Sequence, residues 1–496
     1  MESAINLGMD LGMSLQFKII AFLLVIADVA FCIYIGNKSS GEVENTEDYF
    51  INGKKTGSVL LALTVGASVN GAGNFIGQAG RGASMGISAY WLWIGEILLG
   101  MALFGYLLAP YLARFKYISM PHYIANYLYG GDKTVRRVSG VASLLPNLLW
   151  PGGQIMGLAY VVEQVFGINY MISVLISGVI FTYYTVKGGL KSVIYTDALH
   201  GVIEILFAVF AIFFGLKAIN FDFAALKQNL IAINPDRMNL FAVRGVEIFS
   251  TIFVGFLGCI SNPILWNRAF AAKDVKSARQ GYGFTTTWSI FMIFFIIVLG
   301  LIASTFNVEA NDKALVWLIL NKMPSWLSII IVVSVLAATL STADTHLNCA
   351  AANIVKDIMY PGNELSIEED LKYSKLATLI SGIIATGGAL VAPSIFDLAL
   401  IGYTICGGVL IPMFVIGIIY RDRTTDEFKS KLSIKAGRIG ISVGIIFAMA
   451  FEFIPSLNAL LGGGIIPSVV ATTATLLISN LIFKGETPIN APKASY

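Results

Sequence analysis

The chain is short of charge, histidine and cysteine. Only 13% of its 496 residues are Asp, Glu, Lys or Arg, and it carries three histidines and four cysteines. So little charge excludes a soluble surface along most of the length. The basic residues that exist lie beside apolar runs, where they report topology rather than nucleic-acid binding. His122, His200 and His346 show no metal-ligand spacing, and no nucleotide loop or nucleophile–base pairing appears, so an enzyme is not expected. Cys32, Cys259, Cys349 and Cys406 all fall inside apolar runs. They read as small packing residues, and neither a disulfide nor a cysteine metal site is expected. The first residues lack a basic n-region, which argues against a cleaved signal peptide.

What is present is hydrocarbon: 56% of residues are hydrophobic and the mean hydropathy is +0.76. The expected fold class is therefore an all-α polytopic membrane protein. About thirteen apolar runs, each roughly 17–25 residues, are long enough to span a bilayer; they extend from 17–36 to 463–484 and leave no room for a large soluble domain. Most of the 33 basic residues fall on one set of alternate loops. The positive-inside rule then places the amino terminus outside and the carboxyl terminus in the cytoplasm, as in a multi-pass cell-membrane protein.

Two of these runs have interrupted interiors. Residues 64–77 contain four glycines and two asparagines in fourteen positions, and Gly255-Phe-Leu-Gly-Cys-Ile-Ser-Asn-Pro263 places glycines before polar residues and a proline. Glycines that merely allow tight helix packing would explain either run alone. The two runs lie five spans apart, in matching positions of successive five-span blocks of opposite orientation. That pairing is the sequence sign of an inverted-repeat transporter, whose ligands bind where discontinuous helices leave backbone groups free. The expected division is 1–45 for the amino terminus and first helix, 46–225 and 226–425 for two five-helix repeats, and 426–496 for two further helices and a cytoplasmic tail.

A third interruption is chemical. Within Val335-Leu-Ala-Ala-Thr-Leu-Ser-Thr-Ala-Asp-Thr-His346, Ser341, Thr342, Asp344, Thr345 and His346 share about two helical turns. Each isolated ionisable group at mid-membrane costs about 2.5–3.5 kcal/mol on insertion scales, so such residues face a cavity, a partner or an ion. Helix–helix hydrogen bonding would need two or three of them, not five. Asp197 enters the sixth span about one turn inside the membrane, where it either pairs with Lys187 or Lys191 or meets the ninth span as a cation ligand or relay.

Four strings carry a resemblance: Asp48-Tyr-Phe-Ile-Asn-Gly-Lys54, Gly188-Gly-Leu-Lys-Ser-Val-Ile-Tyr-Thr-Asp197, Trp266-Asn-Arg-Ala-Phe-Ala-Ala-Lys-Asp274 and Ala338-Thr-Leu-Ser-Thr-Ala-Asp344. In this order the chain resembles the sodium:solute symporter family over roughly 45–420, and its second span and hydroxyl strings look most like the choline-transporter branch. The resemblance implies sodium as the coupling ion, held by backbone carbonyls of Ala67, Asn70 and Ala338 and the hydroxyls of Ser341 and Thr342. Neutral oxygens suit a hard cation that must leave again. It also implies a further cation site at Asp197, Asp344 and Thr345, although Asp344 stands where a hydroxyl is expected.

The function read from these features is sodium-coupled uptake of a small polar organic solute by alternating access, with the lipid bilayer and no nucleic acid as surroundings and a monomer as the working unit. A membrane solute sensor and a proton-coupled transporter of the same fold are the alternatives. Candidate solute contacts are Asn70, Asn74, Trp150, Gln154, Ser261 and Asn262. The choline branch carries an aromatic residue matching Asn262, and quaternary ammonium recognition needs several aromatic faces. Amides and a hydroxyl in their place favour an amino acid, a carboxylate or a polyol over choline.

Overall fold

The architecture comes from a computed structural model that describes residues 15–40, 51–306, 311–362, 365–421 and 430–483. Residues 48–50 of the first family string and everything past Phe483 lie outside the described residues. Among the described residues there is no β-strand; isolated bridges such as Thr56 with Ala272 are the only strand-like pairings.

The helices that frame the centre are α1 (Leu15–Ser40), α2 (Ser58–Val69), α3 (Gln78–Met85), α4 (Lys133–Phe166) and α5 (Tyr170–Ala218). They continue with α6 (Gly245–Ser261), α7 (Pro263–Ala271), α8 (Val275–Ser304), α9 (Ala314–Lys322), α10 (Ser325–Ala352), α11 (Ile367–Val391), α12 (Ile395–Tyr420), α13 (Ile434–Phe453) and α14 (Ile465–Ile482). Their ends follow local sequence. Asp132 caps α4 by accepting from the Val135 amide, and Gly167 closes it in the left-handed conformation at φ 72°, which glycine adopts without a Cβ penalty. Ser366 and Glu369 form a reciprocal capping box on α11.

Both interrupted runs are broken helices. α2 stops at Asn70 (φ −91°, ψ 36°) and the chain resumes through a wide π turn at Gly73–Gly77 into α3. α6 stops at Asn262 (φ −59°, ψ 117°), where Pro263, lacking an N–H, opens α7 at a position that needs none. The breaks also explain how the spans divide. Among the described residues ten helices are long and apolar enough to cross a membrane, against about thirteen expected. α2 is shortened by its break, α4 is diluted by its basic first turns and its glycines and prolines, and the run at Tyr170–Tyr183 at the start of α5 is only a shorter apolar stretch.

The residues of the breaks are packed, not solvated. α10 packs against α4 and α5, α2 against α5 and α8, and α12 against α4 and α6, so the two breaks, α10, α4 and α12 enclose a common polar centre. Arg268, Trp266, Tyr282 and Phe75 are among the largest fully buried side chains. A guanidinium at that depth needs a partner.

Candidate ion and solute site

The break in α2 leaves its last carbonyls without the next turn's amides, and side chains from other helices take them up. Ser341 Oγ donates to the Ala67 carbonyl at 2.7 Å and Thr342 Oγ1 at 3.2 Å. Ser341 Oγ also lies 3.3 Å from the Ala338 carbonyl. Four of the five expected sodium oxygens therefore converge between α2 and α10. The amide of Asn70, the fifth residue, closes the last turn on Gly66. The C-terminal end of α2 points its dipole's negative end here, and all five residues are buried.

One helical turn away stands an ion pair. Arg268 Nη2 is 2.9 Å from Asp197 Oδ2, both side chains fully buried. The same carboxylate oxygen accepts from Thr64 Oγ1 at 2.7 Å and Ser68 Oγ at 3.0 Å, and Arg268 Nη2 also donates to Thr345 Oγ1 at 2.9 Å. Asp344 joins through Thr345, which donates to its Oδ1 at 3.4 Å. The three residues expected as a second cation site are thus close together, and the chain's own guanidinium holds the place of the cation on Asp197. Lys187 and Lys191, the alternative partners, lie where side chains are not described.

The candidate solute residues surround the two breaks, and several work on the backbone. Gln154 Oε1 accepts from the Ala72 amide at 2.7 Å, and Asn74 Nδ2 donates to the Val69 carbonyl at 3.0 Å, so α4 and the second half-helix cap the two ends of the break. Those bonds fix which amide atoms remain: Gln154 Nε2, a donor, and Asn74 Oδ1, an acceptor, are buried without a partner among the described residues. Trp150 covers Gly73, where a Cβ would come within 3.1 Å of its ring. It stacks on Tyr403 at 5.2 Å and 24°. Asn262 caps α7 by accepting from the Ile264 amide and donates to Tyr403 Oη at 3.3 Å. Ser261 donates to the Gly258 carbonyl, and the Asn70 side-chain oxygen accepts from Ser289, so these two turn toward helix packing instead.

The sequence profile of the family described as "Sodium:solute symporter family" matches residues 49–427. This chain belongs to that family. It is a multi-pass membrane protein and a sodium-coupled symporter, in a family of transporters rather than enzymes. Over 490 residues the symporter is 24% identical to sodium/proline symporter 2 of Staphylococcus saprophyticus, covering 95% of this chain and 94% of that protein. It is 22% identical to the osmoregulated proline transporter OpuE of Bacillus subtilis, over 88% of this chain and 92% of that protein. Its fold matches a substrate-bound, outward-open Na+-coupled sialic acid symporter with a TM-score of 0.76, at 17% identity over 96% of this chain and 99% of the other. It also matches Mhp1, a nucleobase-cation-symport-1 family transporter in a closed conformation, at 0.56, 15% identity and 88% and 96% coverage.

Reasoning from sequence missed Arg268, Thr64, Ser68 and Tyr403 as parts of the symporter's polar centre. Thr64 and Ser68 do stand four apart on one face of α2, which is a readable signal. Arg268 lies inside the Trp266 string, but nothing local marks it as the partner of an acid 71 positions earlier. Tyr403 sits in an unbroken apolar helix and gave no signal at all.

Proposed function

We propose that the symporter imports an amino-acid-like solute, one that offers both a hydrogen-bond acceptor and a donor, together with sodium held at Ala67, Asn70, Ala338, Ser341 and Thr342. The supporting observation is the pair of unpartnered buried atoms beside the break, Gln154 Nε2 and Asn74 Oδ1. A donor left unpaired in a dry site costs about 1–3 kcal/mol, so a solute carboxylate on Gln154 and a solute N–H on Asn74 would recover that. The Trp150 face beside them suits a compact apolar ring or chain. Two curated relatives are named for proline, which has these features. Sodium enters as substrate: on binding, the Ser341 and Thr342 hydroxyls turn their protons away from the Ala67 carbonyl and all three oxygens face the ion.

A second sodium ion at Asp197, Asp344 and Thr345 then requires Arg268 to withdraw. In this reading residues 46–225 and 226–425 rock against each other around the fixed centre, the amino terminus is outside and the carboxyl terminus cytoplasmic in the cell membrane, and a monomer suffices. The test is uptake into proteoliposomes of labelled proline, a carboxylate, a polyol and choline, with and without a sodium gradient. Sodium-dependent uptake of proline or another amino acid, reduced by Gln154→Ala, is the expected result; choline uptake that ignores Gln154 would overturn the solute assignment.

A further inference from the structure

Outside the transport site, three side chains with metal-ligating atoms meet between the first helix and α5. Asp28 and Cys32 are four apart on one face of α1, and His200 lies three residues beyond Asp197 on α5. His200 Nε2 is 3.2 Å from Asp28 Oδ1 and 3.7 Å from Cys32 Sγ, and the three ligand atoms lie within 4.8 Å of one another. Exposure is 8% for Asp28 and 0% for the other two. One imidazole nitrogen carries either one proton or one lone pair, so the carboxylate and the sulfur compete for His200 Nε2. Asp28 Oδ2 and His200 Nδ1, both buried, have no hydrogen-bond partner among the described residues.

We propose that Asp28, Cys32 and His200 form a binding site for a zinc-class divalent cation, separate from the sodium site, that fastens α1 to α5. Carboxylate oxygen, thiolate sulfur and imidazole nitrogen are the donors such ions select. A sodium, magnesium or calcium site would be built from oxygens alone. The charges also balance. A carboxylate and a thiolate bring two negative charges into hydrocarbon, a divalent ion cancels both, and the thiol proton is released to water as the sulfur–metal bond forms. Three protein ligands leave a fourth tetrahedral position for water. The 168 positions between Cys32 and His200 leave no local ligand spacing in the sequence.

The test uses the purified full-length chain, stripped with chelator and titrated with cobalt(II) alone. The expected result is one equivalent bound, with a sulfur-to-cobalt charge-transfer band in the near ultraviolet and tetrahedral visible bands, both displaced by zinc. Cys32→Ser should abolish the charge-transfer band, Asp28→Asn and His200→Gln should weaken binding at least tenfold, and Cys259→Ala should leave it unchanged. Independently of any variant, zinc should slow alkylation of Cys32 in the unsubstituted protein while leaving Cys406 unaffected, as read by mass spectrometry. A sulfur band absent from the unsubstituted protein, a band that survives Cys32→Ser, or Cys32 alkylation indifferent to zinc would each overturn the proposal.

Discussion

Arg268 of α7 and Asp197 of α5 meet at 2.9 Å, with neither side chain exposed. Removing one member of such a pair leaves an uncompensated charge and costs roughly 3–5 kcal/mol. Arg268→Gln should therefore lower the melting temperature markedly in sodium-free buffer. It should also leave Asp197 open to a cation, so added sodium should restore more stability to the variant than to the parent. A variant whose melting responds to sodium just as the parent does would show that the guanidinium does not compete with an ion there.

The hydroxyls on the Ala67 carbonyl make a second expectation. Ser341→Ala with Thr342→Ala removes two of the five oxygens proposed to hold sodium, and the sodium concentration for half-maximal uptake should rise at least tenfold, about 1.4 kcal/mol. Thermal melting without sodium should fall as well, because both hydroxyls donate to the one Ala67 carbonyl and the double variant leaves it buried without them. Unchanged sodium dependence in a folded double variant would remove these hydroxyls from the ion site.

How much of this was legible in the chain follows from the range of the interactions. The breaks in α2 and α6 were readable because glycine, asparagine and proline act on their own backbone. Ser341 and Thr342 were readable because polar groups in hydrocarbon demand a reason. That Gln154 would spend its oxygen on the Ala72 amide, or that Ser261 would turn back to Gly258, was not, since both depend on how α4 and α6 approach the breaks. The Arg268–Asp197 pair and the Trp150–Tyr403 stack are long-range pairings that no local pattern encodes.

Asp312, outside the spans, gives a pH dependence. Burial pushes its carboxyl up from the ordinary 3.8 to about 6, against the opposing bond from the Ile395 amide. Its Oδ2 accepts that amide at 3.0 Å. Between these two values the folded chain binds more protons than the unfolded one, so the stability contribution is complete at low pH and is lost as pH rises through about 6. Asp312→Asn should flatten melting temperature against pH in that window, by an order of about 2–3 kcal/mol at most. An unchanged profile in the variant would show that another group sets it.

The last expectation concerns a polar chain leading from His346, beside Trp150, toward the basic end of α4. His346 Nδ1 lies 2.8 Å from Asn147 Oδ1, Asn147 donates to Asn353 at 3.0 Å, and Asn353 donates to Asp357 Oδ2 at 3.0 Å. Asp357 also takes Arg136 Nε at 2.9 Å and Ser119 Oγ at 2.8 Å. Asp357 lies in the π-helical turn Asn353–Met359 that continues α10, so the Arg136–Asp357 pair ties α4 to this extension. Asp357→Asn keeps the shape and removes the charge, leaving Arg136 buried without its counter-ion. It should shift the population toward the form open at this end. Cysteine introduced at Gly140, whose added Cβ would lie 2.9 Å from the Asp357 side chain, should then react faster with a water-soluble maleimide in the Asp357→Asn background than in the Asp357 parent. Equal labelling rates in the two backgrounds would show that the pair does not latch the helices.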